Sequence, residues 1–249
     1  MRILSRWWWL LPLALTVVLG GFVIWASTPA IPMPEAQAAL QSDDEVQVEL
    51  KPWLVFSPVK YNPTVGLVLY PGGRIDPRAY APAAHALARE GYLVVIVRMP
   101  LNLAALAPER AANVLAAFPR IDRWAVGGHS LGGAMAARFA YQHPKSSQSL
   151  LLWAAYPAST DDLSGRTLAV TSIYGTQDGL ATGGKIAASR PLLPGNTHWV
   201  AIEGGNHAQF GWYGPQSGDG TPTISRQEQQ RQIVGATLEL LSGLADPGS

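Results

Sequence analysis

From about residue 45 onward, short apolar runs of strand length alternate with stretches whose apolar residues recur at helical spacing. The pattern predicts strands at 46–50, 53–56, 66–70, 93–97, 124–128, 149–155, 168–174 and 198–202, and helices at 80–90, 108–117 and 224–241. Such alternation is typical of an α/β protein with a mostly parallel sheet and helices on both faces. Ligands of these sheets bind at the carboxyl ends of the strands.

The clearest motif, GHSLG at 128–132, lies between a predicted strand and a predicted helix and matches the G-x-S-x-G pattern of a nucleophile elbow. In such an elbow the turn is so tight that side chains two residues before and after the serine would collide. The strained turn points the Ser130 hydroxyl into the cleft, and the following helix directs free N–H groups to the same place. A glycine-rich turn with an incidental serine is the alternative, so the interpretation depends on the partners of Ser130.

A serine nucleophile needs a histidine to take its proton and an acid to orient that histidine. His207 follows the last predicted strand in a glycine-rich loop that can bring its imidazole over Ser130. Asp178 follows the preceding strand and is the candidate acid, with a simple Asp-Gly turn as the alternative and Glu203 in reserve. The acids expected to be solvated are Asp161, Asp162 and Asp219.

Five stretches together make residues 45–245 resemble the α/β-hydrolase fold superfamily, and within it the fold-5 group akin to dienelactone-hydrolase-like enzymes. They are YPGGRIDPRAYAP, RMPLNLA, GGHSLGG, IYGTQDGL and GGNHAQFGWYG. The order Ser130, Asp178, His207 is also the one given for α/β-hydrolases. The resemblance implies that the main-chain N–H groups of Gly73 and Leu131 bind the oxyanion. Many relatives have His-Gly-x in that first loop, where this chain has Pro-Gly-Gly.

The stretch from Trp7 to Ala26 contains no charged residue and is long enough to cross the roughly 30 Å hydrocarbon layer as a helix. The flanking residues are Trp7, Trp8, Trp9 and Trp25 at the two ends, Arg2 and Arg6 before it, and Glu35, Asp43, Asp44 and Glu45 after it. We therefore expect residues 1–26 to be a signal anchor, 27–44 a linker and 45–249 the hydrolase domain, which would lie outside the cytoplasm. A cleaved signal peptide is the alternative.

Composition restricts the partners and the chemistry. The formal net charge of +1, without a long run of either sign, argues against a nucleic-acid surface. The chain has no cysteine, which excludes disulfides, thiolate metal sites and a cysteine nucleophile. Without a metalloprotease or nucleotide-binding motif, we expect neither a metal nor another cofactor. Residues 156–167 are too few for a large helical cap domain, which predicts an open cleft.

Two features bear on the substrate. Arg74 and Arg98 follow predicted strand ends, where they would hold a carboxylate or phosphate, or else pair with acids such as Asp76. The loop at 208–220 would either form one wall of the site or pack its aromatic side chains on the sheet edge. Its candidate wall residues are Gln209, Trp212, Tyr213 and Gln216.

These features predict a single-pass membrane protein with a serine hydrolase domain that cleaves small-molecule or lipid carboxylic esters through an acyl-enzyme. Two alternatives stay open. One is an acyltransferase that uses the same three residues, and the other is a non-catalytic scaffold that binds an envelope partner through its open face.

Overall fold

The fold is seen in a computed structural model that describes residues 10–245, and these residues form one eight-stranded sheet. The strands are β1 Val46–Glu49, β2 Leu54–Pro58, β3 Val65–Tyr70, β4 Leu93–Ile96, β5 Arg123–His129, β6 Ser149–Trp153, β7 Ala169–Gly175 and β8 His198–Ile202. Their order in the sheet is β1-β2-β4-β3-β5-β6-β7-β8. Only the pairs β1–β2 and β2–β4 are antiparallel. The predicted mostly parallel α/β sheet is confirmed.

Helices cover both faces of the sheet. They are α1 Leu10–Ser27, α2 Pro34–Ala38, α3 Ala81–Arg89, α4 Arg110–Ala117, α5 Leu131–Gln142, α6 Gly183–Ser189 and α7 Arg226–Ala245. Strand β3 shows how the layers form, because its side chains alternate between the faces. Leu67 and Leu69 join the core under α3 and α7, whereas Val68 and Tyr70 join the core under α4 and α5. With no helix in residues 154–168, a large cap domain is absent from that stretch.

The segment predicted to be a linker, residues 27–44, packs on the domain. Ala30 and Pro32 form β-bridges with Ile75 and Tyr213. Helix α2 buries Ala36, and Leu40 joins the core next to α3. The proline, alanine and acid content of this segment favoured a spacer, but its apolar side chains cover surface that the sheet and α3 would otherwise expose. Helix α6 was not predicted either, because it begins with two glycines and spans only 7 residues.

Helix α1 is the one helix in residues 10–245 that is long and apolar enough to cross a membrane. Ala26 is its only buried residue, so α1 is not a core helix of the domain. Its position near the N-terminus fits a membrane anchor and a signal sequence alike. The predicted interface residues Trp7, Trp8 and Trp9, and the basic residues Arg2 and Arg6, lie outside the described residues.

Candidate active site

Ser130 occupies the sharp turn between β5 and α5. Its backbone φ of 53° lies in the left-handed region, which a non-glycine residue rarely adopts without surrounding support. That support comes from the next strand, because the Ser130 N–H donates to the carbonyl of Trp153 at 2.9 Å. The half-buried Ser130 side chain lines a cavity of about 300 Å³ at the carboxyl edge of the sheet.

The glycines around Ser130 are required by close backbone packing. A Cβ at Gly128 would lie 2.6 Å from the carbonyl carbon of Gly132 and 2.7 Å from the carbonyl oxygen of Tyr70. A Cβ at Gly132 would overlap the carbonyl oxygens of Tyr70 and Pro71. The obstacles are main-chain atoms at the end of β3, at Pro71 and at the start of α5, and closely packed main chain cannot move aside. The elbow therefore keeps its shape because these positions carry no side chain.

Asp178 and His207 meet at the ends of β7 and β8. The Oδ2 atom of Asp178 lies 2.7 Å from Nδ1 of His207, and both side chains are almost completely buried. The other oxygen, Oδ1, accepts from the N–H groups of Leu180 at 2.8 Å and Ala181 at 2.7 Å. A carboxylate held in this way accepts a hydrogen bond from the Nδ1–H group of His207, and in that tautomer Nε2 carries a free lone pair. His207 lines the same cavity as Ser130, and its Nε2 has no protein hydrogen-bond partner in the described part of the chain.

Asp219 holds the Asp178 and His207 loops together. Its Oδ1 accepts from the main-chain N–H of His207 at 3.1 Å and of Gly179 at 3.2 Å, and its Oδ2 accepts from Ala208 at 2.8 Å. The sequence had suggested that Asp219 is solvated, but the chain folds back so that its carboxylate faces these donors. Asp161, also expected to be solvated, is buried. Asp162 is exposed as expected.

The loop after β3 is fixed to the elbow by Tyr80. The Tyr80 hydroxyl accepts from the Gly72 N–H at 2.9 Å and lies 2.9 Å from Nδ1 of His129. The buried Tyr80 hydroxyl thus bridges the main chain of Gly72 and the ring of His129. Burial, together with the adjacent His207, lowers the pKa of His129 well below its ordinary value, so the ring is neutral.

Neither Gly73 nor Leu131 donates its main-chain N–H to a protein acceptor within residues 10–245. Leu131 lines the cavity, and a Cβ at Gly73 would lie 3.2 Å from the Leu131 side chain. The two residues predicted to supply the oxyanion donors are therefore close in space, although Gly73 itself does not line the cavity of Ser130.

The other candidate residues lie apart from this cavity. Glu203 is exposed, and His207 bonds to Asp178 instead. Arg74 binds main-chain carbonyls of the N-terminal segment, and Arg98 donates to the Leu50 carbonyl. In the loop at 208–220 the aromatic side chains pack inward. The buried members are Gln209, Phe210, Trp212 and Tyr213, and none of them lines the cavity of Ser130.

Two residues that support the site were missed from the sequence, Tyr80 and Asp219. Tyr80 lies in the stretch whose resemblance was noted, and the absence of the usual loop histidine was the one signal that another donor or acceptor must replace it. Asp219 gave no signal, because a loop Asp between two glycines is common at surfaces. Within residues 10–245 no group of three His, Cys, Asp or Glu side chains is arranged to hold a metal ion.

Comparison with known proteins gives one sequence match and many structural ones. A sequence profile described as the Alpha/beta hydrolase family matches residues 66–231, a stretch that contains Gly73, Ser130, Asp178 and His207. No curated protein shows significant sequence similarity to the chain.

Solved hydrolases have the same fold at low sequence identity. The thermophilic esterase Est2 from the Planctomycetes species Thermogutta terrifontis has a TM-score of 0.57 and 16% identity over 82% of this chain and 95% of that one. The same esterase phosphonylated by sarin gives a TM-score of 0.59 and 15% identity over 79% and 93%. A predicted CIB-like hydrolase from Thermoplasma acidophilum gives 0.59 and 15% over 78% and 98%. At such identities the likeness concerns the fold alone.

Proposed function

The chain belongs to the alpha/beta hydrolase family, and we propose that it is a serine hydrolase that cleaves carboxylic esters with Ser130, His207 and Asp178. The main support is the buried pair of Asp178 and His207, 2.7 Å apart, beside a cavity that Ser130 also lines. The pair fixes the imidazole so that its lone pair on Nε2 is free for a proton. A hydroxyl in reach of that lone pair becomes a nucleophile.

The reaction follows from these positions. His207 Nε2 takes the hydroxyl proton while Ser130 Oγ attacks the ester carbonyl carbon, and the carbonyl oxygen becomes an oxyanion. The N–H groups of Gly73 and Leu131 bind that oxyanion, each contributing about 2.7–4 kcal/mol to the transition state. The imidazolium gives its proton to the leaving alcohol, and an acyl-enzyme remains. Water then attacks the acyl carbon with His207 again as base, which releases the acid and restores Ser130.

The lining of the cavity supports an uncharged acyl group as the substrate part that enters. Besides Ser130 and His207, the cavity is lined by apolar side chains and one tyrosine, namely Leu131, Ala134, Ala154, Ala155, Tyr156, Leu180 and Ala181. No charged partner for a substrate carboxylate or phosphate is among them. The esterase neighbours share this fold, and one of them is phosphonylated by sarin, an organophosphorus ester.

A fluorophosphonate probe tests the proposal, because it reacts only with an activated serine. We expect mass spectrometry to find the label on Ser130, with none in Ser130→Ala and full labelling in the exposed control Ser164→Ala. With a chromogenic ester, Asp178→Asn lowers kcat by about 10⁴-fold because the imidazole adopts the wrong tautomer. The matched control Glu203→Gln keeps full activity. Labelling that persists in Ser130→Ala refutes the assignment.

A further inference from the structure

The C-terminal end of α1 is bound to the loops that follow β3 and β4. Arg74 donates from Nε to the carbonyl of Trp25 at 2.8 Å and from Nη2 to the carbonyl of Thr28 at 2.9 Å. Asn102 donates from Nδ2 to the carbonyl of Ala26 at 2.9 Å. Carbonyls in the last turn of a helix have no partner within the helix, and a cation there is favoured by the helix dipole. The domain therefore caps α1 with its own side chains.

The same contacts fix the loop that carries Gly73. Arg74 and Asn102 both have a φ of 55°, in the region that favours glycine. Arg74 is held on both sides, because its N–H donates to the Asn102 carbonyl at 2.8 Å and its carbonyl accepts from Ala30 at 2.7 Å. Such a backbone persists only where its surroundings over-determine it. Gly73 is the residue directly before Arg74, so the end of α1 borders the proposed oxyanion site.

Helix α1 projects away from the domain. Every residue from Leu10 to Trp25 is exposed, and only Ala26 is buried, so the helix touches the domain at its C-terminal end alone. That end is attached to the loops that follow the carboxyl ends of β3 and β4. Ser130 follows β5, the parallel neighbour of β3, and therefore lies at the same edge of the sheet. A bilayer that takes up the exposed apolar helix meets the domain at the edge that carries Ser130.

The described part of α1 is about as long as the hydrocarbon layer is thick. Its 18 residues span about 27 Å, close to the roughly 30 Å of the hydrocarbon layer. A position in which the hydrocarbon surrounds α1 up to its last turn places Trp25 and the Arg74 guanidinium, 4.3 Å from the indole centroid, in the headgroup layer that suits them. Two further apolar side chains are exposed near this edge, Ile31 at 81% and Leu106 at 52%.

We propose that the docked end of α1 holds the carboxyl edge of the sheet, with the cavity of Ser130 and His207, against the lipid bilayer that α1 spans. The site then takes esters whose acyl chains are dissolved in that bilayer. The choice of substrate rests on the proposed function, whereas the orientation of the domain does not. The apolar lining of the cavity suits an acyl chain that leaves a lipid phase.

Single-cysteine labels measure the orientation directly, because the natural chain has no cysteine. The full chain is reconstituted in phosphatidylcholine vesicles as Leu106→Cys and as Tyr61→Cys, each carrying a fluorophore. Leu106 lies on the membrane-facing edge, and the equally exposed Tyr61 follows β2 at the opposite edge. With a nitroxide quencher on the lipid headgroups, we expect the label at 106 to lose most of its emission and the label at 61 to keep it. Equal quenching, or stronger quenching at 61, overturns the orientation.

A second arm tests the source of the substrate. A long-chain fluorogenic ester is placed either in the vesicles that hold the protein or in separate vesicles without protein. We expect hydrolysis of the ester in the shared bilayer and little in the separate vesicles, and equal hydrolysis of both overturns the substrate class. If no ester is cleaved and Ser130 is not labelled by the fluorophosphonate, the proposed function fails, while the quenching result still decides the orientation.

The mature N-terminus gives the last check. The mass of the intact protein, extracted from native membranes, is measured by mass spectrometry. A mass that includes α1 supports the docked anchor, and a chain that begins after Ala26 overturns it.

Discussion

The nucleophile and its acid–base partners are held in place in different ways. Around Ser130 the main chain of β3 and the start of α5 are so close that Gly128 and Gly132 have no room for a side chain. Around His207 the main chain is held by side chains from other segments. Asp219 accepts from His207 and Ala208, and Gln229 of α7 bonds both the N–H and the carbonyl of Asn206, at 3.0 Å and 2.7 Å.

This difference separates two kinds of constraint. At the elbow the constraint is steric, so the two glycine positions tolerate no added atoms. The His207 loop depends in addition on hydrogen bonds to side chains of other segments, so it should be sensitive to the loss of a single acceptor. Two measurements test these constraints, and a third concerns the contact between the two regions.

The largest effect is expected for Gly132→Ala, because its methyl group would overlap the main chain after β3. We expect it to lower the free energy of unfolding by about 3 kcal/mol or more, as overpacking of rigid surroundings does. Gly235→Ala is the matched control, since nothing lies within 4 Å of that position in α7, and it should gain about 0.5–1 kcal/mol. Urea denaturation in detergent measures both. A wild-type midpoint for Gly132→Ala contradicts the steric account.

A smaller effect is expected for Asp219→Asn. The substitution keeps the side-chain volume, but it replaces one acceptor oxygen with an amide N–H donor that faces a main-chain N–H donor. Leaving a main-chain N–H unsatisfied costs about 1–3 kcal/mol, so kcat/KM should fall about 10- to 100-fold as the His207 loop shifts. The exposed Asp162→Asn, which also removes a charge, should leave kcat/KM unchanged. Ester hydrolysis and the rate of fluorophosphonate labelling should fall together. Unchanged rates in Asp219→Asn exclude the hydrogen-bond account.

The smallest effect is expected for the pH dependence of stability. It arises at the contact between the two regions, where the ring centroids of His129 and His207 lie 4.5 Å apart. Burial lowers the pKa of His129, so near pH 6.5 the unfolded chain binds a proton that the folded chain does not. Stability is therefore full above that pH and falls by up to about 1.4 kcal/mol per pH unit below it. Urea midpoints at pH 7.5 and about pH 5.5 should show a shallower loss in His129→Gln than in wild type. The exposed control His198→Gln should keep the wild-type slope.

The steric constraint at the elbow and the hydrogen-bond constraint at the His207 loop also explain which parts of the site could be predicted from the sequence. Glycines two residues from Ser130, and the positions of Asp178 and His207 after successive strands, reflect local geometry that a sequence displays directly. Asp219 acts through a loop that folds back on itself, and no spacing predicts which main-chain N–H groups it will face. The roles of the three candidate catalytic residues stay predictions until the labelling experiment is done.

The N-terminal segment was misjudged for a related reason. Proline, alanine and acidic residues between 27 and 44 are typical of a spacer. Burial of Ala36 and Leu40 depends on a matching surface next to α3 that only the folded domain provides. For Arg74 the sequence offered a substrate anion or a nearby acid such as Asp76 as the partner, whereas the side chain binds carbonyls from a distant part of the chain.

The packing of residues 28–40 on the domain also determines how far the enzyme can search. A free spacer of that length would have a root-mean-square reach of about 20 Å and let the domain tumble. Because those residues are bound to the sheet edge, no flexible spacer separates the domain from α1. The domain therefore does not rotate independently of that helix. In the proposed orientation at the bilayer, the substrates that reach the site are molecules that diffuse laterally in the membrane, so the search for a substrate takes place in two dimensions.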